Sequence, residues 1–391
     1  MSDLRMRIKQ LYERNPNAKN VINEIHNLAK RLQSTRNDKV DIMNFCGTHE
    51  WTITYYGIRT VMPELIDLIA GPGCPVCVTP GYYVEVLAKL SFEGYHILTY
   101  GDAYKLPSTI RARKEYRSLA HAKSFGGKVT IVYSFLDAVK HARESPSEDF
   151  IFFAIGFETT MPSTAELLIH ELVPKNLLIL SAYRLTPPIM EYLLSSVKDV
   201  ELDGVIAPGH VSAVIGARSW EFIPRRYGIP TVVSGFEPVD VLISILMILK
   251  QLVNGKAVLM NEYVRVVKPE GSHHAKKVMS EVYDVIDSYW RGIGKVPMSG
   301  AVLKKRFRVN DALYQLGIKE GGTGLDEMPG CRCSDVVLGR AKPTDCPLFL
   351  KACTPEKPYG PCMVSSEGTC RIWAENYLIL DYTTKRATRN N

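Results

Sequence analysis

The chain has 391 residues, 46% hydrophobic and 23% charged, with nine cysteines and a formal net charge of +7. That apolar content excludes wholesale disorder, and the length excludes a small disulfide-stapled secreted scaffold. The charge surplus, without a dense Lys/Arg stripe interleaved with aromatics, argues against a nucleic-acid partner. The longest predominantly apolar run, 241–249, is closed by Asp240 and Lys250 and falls short of the ~20 residues of a membrane span. The N-terminus lacks a signal-peptide core, so a cytoplasmic protein with reduced thiols is expected, unless metal or catalysis engages those thiols.

In chain order, the first predicted element is a helix within a segment 1–37. Val21, Ile22, Ile25, Leu28 and Leu32 recur there at three- and four-residue spacing and make one apolar stripe. A repeating unit follows, in which a short β-rich run ends in a Gly-containing turn and leads into a helical stretch. Its strands are predicted at 40–45, 65–70, 95–100, 129–133, 150–155, 176–181, 204–207 and 231–234. Continuous apolar runs separated by helices read as buried parallel strands with crossovers. Gly156-Phe-Glu158 and Gly235-Phe-Glu237 match in triplet and context, which suggests two related halves. The expected fold class is α/β: two related doubly wound domains, 38–142 and 143–255, followed by a cysteine-rich domain, 256–391. Within the last, 262–267 reads as a strand and 275–289 as an amphipathic helix.

The cysteines form two groups. Cys46, Cys74 and Cys77 lie early, none occurs between Cys77 and Cys331, and six follow at 331, 333, 346, 353, 362 and 370. A stretch with few apolar residues and many thiols folds around something other than an apolar core, here a metal. Four thiolates suit zinc or an iron–sulfur cluster. The lack of a second close pair and of a nearby His favours iron–sulfur. In the early group, Cys46-Gly-Thr-His49-Glu50 and Gly71-Pro-Gly-Cys74-Pro-Val-Cys77 combine a C-x2-C turn with a third thiol, a His and a carboxylate. The turn alone reads equally as a zinc half-site or a redox pair. Its neighbours shift the weight to a functional metal or redox site just past a predicted strand, where open α/β sheets place ligands. Glu158, Thr159 and Thr160 also follow an apolar run, and a helix N-cap explains them as well as a site does. His210, in Pro-Gly-His, is a turn histidine unless it faces the sulfurs. Neither a dinucleotide fingerprint nor a P-loop is present.

These motifs, with Gly156-Phe-Glu-Thr-Thr-Met-Pro162, Ala207-Pro-Gly-His-Val-Ser212, Gly235-Phe-Glu-Pro238 and Met363-Val-Ser-Ser-Glu-Gly-Thr-Cys370, occur in an order that resembles the HypD family of [NiFe]-hydrogenase maturation proteins over nearly the whole chain. The resemblance implies two α/β domains plus a cluster domain. It also implies a scaffold with redox-active thiols rather than a conventional turnover enzyme. On such a scaffold the Fe(CN)2CO group is assembled with the small chaperone HypC and cyanide-derived ligands from HypE, before transfer to the hydrogenase large subunit. Carried over by motif, Cys46, Cys74 and Cys77 are the assembly thiols, with His49 and Glu50 beside them. A C-x12-C-x6-C-x16-C pattern puts a [4Fe–4S] cluster on Cys333, Cys346, Cys353 and Cys370, although Cys331 could replace Cys333. Cys331 and Cys362 are then an expected redox pair near the cluster, as in ferredoxin–thioredoxin reductase, on a relay toward Cys74 and Cys77. Trp51 stands where many members have a further His, and Gly101-Asp-Ala-Tyr-Lys-Leu-Pro107 departs from the usual Arg-Val-Pro form. The alternatives are a free-standing iron–sulfur thiol/disulfide oxidoreductase and a structural zinc protein.

Overall fold

The computed structural model describes residues 17–36, 38–197, 199–319 and 326–376. The strands are β1 (Val40–Asn44), β2 (Ile66–Ala70), β3 (His96–Thr99), β4 (Val129–Ile131), β5 (Phe150–Gly156), β6 (Leu177–Arg184), β7 (Gly204–Pro208), β8 (Thr231–Ser234), β9 (Leu259–Asn261), β10 (Tyr283–Trp290) and β11 (Gly294–Leu303). The first eight coincide with the predicted runs to within a few residues. All seven residues of β5 are buried, as a continuous apolar run between two covered faces requires.

Two sheets result, ordered β2-β1-β7-β8-β9 and β10-β11-β6-β5-β3-β4. The first is wholly parallel. In the second, β4, β3, β5 and β6 are parallel, and an antiparallel hairpin of β10 and β11 extends it beyond β6. Both parallel blocks share one winding, with the second strand outside the first and the third on its other side. This shared order relates the halves. The two Gly-Phe-Glu triplets do not, because one follows the third strand of its block and the other the fourth.

Sheet membership cuts across the expected segments 38–142 and 143–255. The chain lays down β1 and β2, builds β3 to β6 as the second sheet, then returns to the first with β7 to β9. The 256–391 segment supplies β9 to one sheet and the hairpin to the other. Parallel pairing needs long crossovers and tolerates an entire inserted domain, so local periodicity carries no trace of the return.

Two later elements differ from expectation. Residues 262–267 form a turn, and the strand lies just before them. Glu262 accepts the Gly235 amide at 2.9 Å, Asn261 Nδ2 donates to the Val267 carbonyl at 2.8 Å, and Val264 and Val266 are exposed. The helix expected at 275–289 spans His273–Val282 and gives way to β10, because Tyr283, Ser288 and Trp290 turn into the interior as a strand face against β11.

The N-terminal stripe is borne out within the described residues. Helix Ala18–Gln33 buries Ile22, Ile25, Leu28 and Leu32 in one core with Val241, Leu242, Ile245 and Ile248 of helix Pro238–Val253. Residues 1–16 and Asn37 of the segment 1–37 lie outside the described set. A second core runs without a break from Met43 and Phe45 through Phe153 and Trp220 to Cys353, Cys362, Cys370 and Trp373. The cysteine-rich region is therefore packed onto both sheets, each large side chain contributing about 1.5–3 kcal/mol by burial.

Candidate functional site

Cys46 lies two residues past β1 and stands at the N-cap of helix Gly47–Tyr55, with extended backbone. Cys74 follows β2 and caps the short helix Pro75–Val78, whose Cys77 amide donates to its sulfur at 3.2 Å. The Gly71-Pro-Gly73 approach exists for closeness. A Cβ on Gly73 would stand 2.6 Å from the Cys46 amide nitrogen and Cα, and the Gly47 amide reaches the Gly73 carbonyl at 3.4 Å. Only glycine lets the two cysteine turns meet there. Cys74 and Cys77 are joined as a disulfide, with Cα atoms 5.4 Å apart.

The place where they meet is the topological switch point of the first sheet, between β1 and β7, at the carboxyl ends of the strands. A small cavity there is lined by Cys46, Cys74 and Cys77, and also by Cys362 and Glu367 of the C-terminal region. The Met363-to-Cys370 motif brings these residues in. Asp102, at the corresponding switch point of the second sheet, accepts the hydroxyls of Ser365 and Ser366 at 2.9 Å each and the Ser366 amide at 3.3 Å. A Cβ on Gly47 would stand 2.5 Å from the Glu367 carbonyl oxygen, so this loop also presses on the first sheet. It thus spans the ends of both sheets and closes the cavity.

Burial pushes the Cys46 thiol up to about 11, reinforced by Glu367 and opposed by the amides of His49 and Thr48. The residue keeps some exposed surface and lines the cavity. Burial likewise raises the Glu367 carboxyl to about 7, helped by Asp102. Reading residues one at a time missed Glu367. The available signal was a carboxylate beside glycine inside a cysteine motif.

His49 and Glu50, expected beside the thiols, do other work. His49 faces away from the cavity. Its Nε2 lies 2.9 Å from the Gly235 carbonyl, its ring stacks on Phe236, and burial lowers it to about 4. Its Nδ1 has no hydrogen-bond partner in the protein. His210 lies in the first turn of helix Gly209–Ile215 rather than in a loop turn, stacks on Phe236 with ring centroids 3.9 Å apart, and lines neither sulfur cavity. Glu50 does reach the cavity wall, but both oxygens are engaged: Oε1 by Trp373 Nε1 (2.6 Å) and Thr54 (3.1 Å), Oε2 by Arg59 (2.8 Å) and Asn44 (2.9 Å). It is a fastener between the Cys46 helix and the C-terminal helix Thr369–Glu375.

Glu158, Thr159 and Thr160 lie at the second sheet and line neither sulfur cavity. Burial lifts Glu158 to about 7, and its oxygens accept the Thr186 amide (2.8 Å) and hydroxyl. Thr160 occupies the N-cap of helix Met161–Ile169, with its hydroxyl turned back to the Phe157 carbonyl.

The six late cysteines form one neighbourhood. Cys362 is the hub, and its sulfur accepts the Cys370 amide at 3.3 Å. Interaction with the side chains of Cys333 and Cys370 pushes Cys362 below the usual thiol range, and interaction with Cys362 together with burial pushes those two above it. Burial pushes Cys331 up to about 12, and the sulfurs of Cys346, Cys353 and Cys362 raise it further. Cys353 accepts the Tyr359 amide at 3.3 Å. Cys331, the redox partner expected for Cys362, lies in the same neighbourhood, close enough for the Cys362 sulfur to raise its thiol. Cys77 also lines a second small cavity with Cys331, Cys333 and Arg291, so the disulfide stands between the two sulfur groups. Among the described residues no three His, Cys, Asp or Glu side chains form a ready metal-ligand shell. The donor chemistry nonetheless fits an iron–sulfur cluster, because six thiols share one neighbourhood. No helix among the described residues is long and apolar enough to cross a membrane.

Residues 17–377 match the HypD family model, described as a hydrogenase formation family. A Methanocaldococcus jannaschii protein named for hydrogenase expression and formation is 44% identical over 91% of this chain and 96% of its own length. The hydrogenase maturation factors HypD of Cupriavidus necator and Rhodobacter capsulatus are each 40% identical, over 87% and 91% of this chain and 90% and 94% of theirs.

Proposed function

Because the chain belongs to the HypD family of hydrogenase maturation factors, we propose that it is the cytoplasmic scaffold on which the Fe(CN)2CO group is assembled, with a HypC-like chaperone and a HypE-like cyanide donor, for a hydrogenase large subunit. The observation that carries this reading is the convergence of Cys46, Cys74, Cys77 and Cys362 on one small cavity at a sheet switch point. Soft thiolates suit soft iron carrying cyanide and carbon monoxide.

In this reading the iron group is the substrate, and Cys46 holds it. The Cys46 thiol, raised by burial, gives up its proton as iron binds. Cys74 and Cys77 serve as ligands only after their disulfide takes up two electrons and two protons and opens into two thiols. Glu50 and Arg59 hold the C-terminal helix against the Cys46 helix, and Asp102 holds the loop that carries Cys362 into the cavity. Cys333, Cys346, Cys353 and Cys370 would hold the [4Fe–4S] cluster. When bound, that group supplies electrons one at a time.

The test is anaerobic co-purification with a HypC-like partner, followed by infrared spectroscopy in the cyanide and carbonyl stretching region. Bands are expected on the complex and absent from the Cys46→Ala complex. Full band intensity in Cys46→Ala would overturn the assignment of the iron site. The Cys74–Cys77 disulfide also suits the second reading, a thiol/disulfide oxidoreductase. Steady turnover by the isolated chain with a reductant would favour it.

A further inference from the structure

The sulfur centre leaves unused a larger cavity of about 390 Å³ on the second sheet's side, within the size range of small-molecule sites. Lys105, Arg117 and His121 line it, and no Asp or Glu does. Among the described residues neither Lys105 nor Arg117 is in an ion pair. The segment that carries both cations is itself basic: residues 101–128 hold seven Lys and Arg against two acids.

A second, independent observation concerns Ser108. The residue is 2% exposed, it lines the cavity, and its hydroxyl has no hydrogen-bond partner in the protein. A buried hydroxyl without a partner costs free energy that a ligand acceptor would recover. Its backbone is held firmly, the amide donating to the Arg117 carbonyl at 2.9 Å and the carbonyl accepting Arg291 at 3.3 Å. Ser118 Oγ lies 2.8 Å from His121 Nδ1, which leaves Nε2 for a ligand. The opposite wall is apolar, formed by Met328, Pro329, Pro358 and Tyr359.

We propose that this cavity binds a small phosphate-bearing molecule. Lys105 and Arg117 meet the phosphate charge, the Ser108 hydroxyl donates to a phosphate oxygen, and the apolar wall takes the remainder of the ligand. Such a ligand also braces the thiol region, because the Met328 carbonyl accepts the Cys331 amide at 3.0 Å and the Tyr359 amide donates to Cys353. This site is independent of the iron-assembly reading.

The test is calorimetric titration of the full chain with inorganic pyrophosphate, and in parallel with succinate, at low salt. Pyrophosphate is expected to bind at one site, and to weaken as salt rises. Affinity should fall at least tenfold in a Lys105→Gln/Arg117→Gln variant, whose two altered side chains are exposed and whose thermal unfolding should match the parent. Ser108→Ala should weaken binding severalfold. The proposal is overturned if pyrophosphate shows no saturable binding or binds the double variant equally well. Succinate binding as tight as pyrophosphate would overturn the phosphate class, and an unchanged Ser108→Ala would overturn the role of the hydroxyl.

Discussion

Trp373→Phe should loosen the C-terminal helix from the Cys46 helix and leave both sheets intact. Trp373 Nε1 donates to Glu50 Oε1 at 2.6 Å across 323 residues of sequence. The acceptor is an almost fully buried carboxylate, which is also paired with Arg59 at 2.8 Å. A hydrogen bond to a charged group contributes about 1.5–3 kcal/mol, and phenylalanine keeps most of the ring packing. Arg59 lies 5.1 Å from the Trp373 ring centroid, and a cation–π contact of about 0.5–1 kcal/mol weakens with the change of ring. A loss of about 2 kcal/mol corresponds to roughly thirtyfold faster opening, since about 1.4 kcal/mol is a factor of ten. Hydrogen exchange read by mass spectrometry on peptides spanning 369–376 measures it, because local opening is resolved there without assuming two-state unfolding of a large chain. Glu50→Ala should cost more, about 3–5 kcal/mol, because it strands the Arg59 charge as well as the indole N–H. The double variant should cost less than the sum by about 1 kcal/mol or more, since both changes remove the same bond. Exchange in 369–376 within twofold of the parent for Trp373→Phe, or strict additivity, would refute the fastener.

Three further outcomes are expected. Glu158 titrates at about 7 in the folded chain against an ordinary 4.5, raised by burial. The native state therefore binds more protons than the unfolded state between those values, and stability falls as pH rises through that window. Denaturation midpoints measured at pH 5 and pH 8 should differ less in Glu158→Gln than in the parent, and an unchanged difference would remove Glu158 as its source. Gly73→Ala would put a methyl 2.6 Å from Cys46 backbone atoms, whereas at Gly101 the nearest atom is the Ile131 methyl at 3.7 Å. Thermal unfolding should show the first change destabilising by about 1–3 kcal/mol and the second nearly neutral, and equal effects would contradict the close approach. Asp102→Ala removes the acceptor for three bonds from Ser365 and Ser366, so Cys362, 1% exposed, should be alkylated at least tenfold faster under mild denaturant. An unchanged alkylation rate would show that the loop is held by something else.

Wherever a strand is a continuous apolar run, it was legible. The first eight strands could be read because a parallel strand buried on both faces leaves no polar position, as all seven residues of β5 illustrate. Reading failed where periodicity was mixed. Helix His273–Val282 and β10 both carry apolar residues at spacings that suit a longer helix, and only pairing with β11 ends the helix at Val282. Site residues divided in the same way. The glycines and cysteines of the two early motifs could be placed together from their types, since close approach and sulfur chemistry are properties of single residues. His49 could not, because adjacency along a helix to Glu50, which does reach the cavity wall, says nothing about direction. Successive residues point about 100° apart, and here one turns to Gly235 and the other to Trp373.

The amino-acid sequence by itself determined the α/β class, the strand positions, the two thiol groups and the family to which the chain belongs. All of these depend on local pattern or on residue identity. Tertiary structure alone decided that β1 and β2 share a sheet with β7 to β9, and that Cys362 and Glu367 join Cys46, Cys74 and Cys77 in one cavity. Those decisions rest on crossovers and packing between segments hundreds of residues apart. Their energy lies in buried contacts and shared hydrogen bonds, such as Asp102 with Ser365 and Glu50 with Trp373, which exist only once both partners are in place.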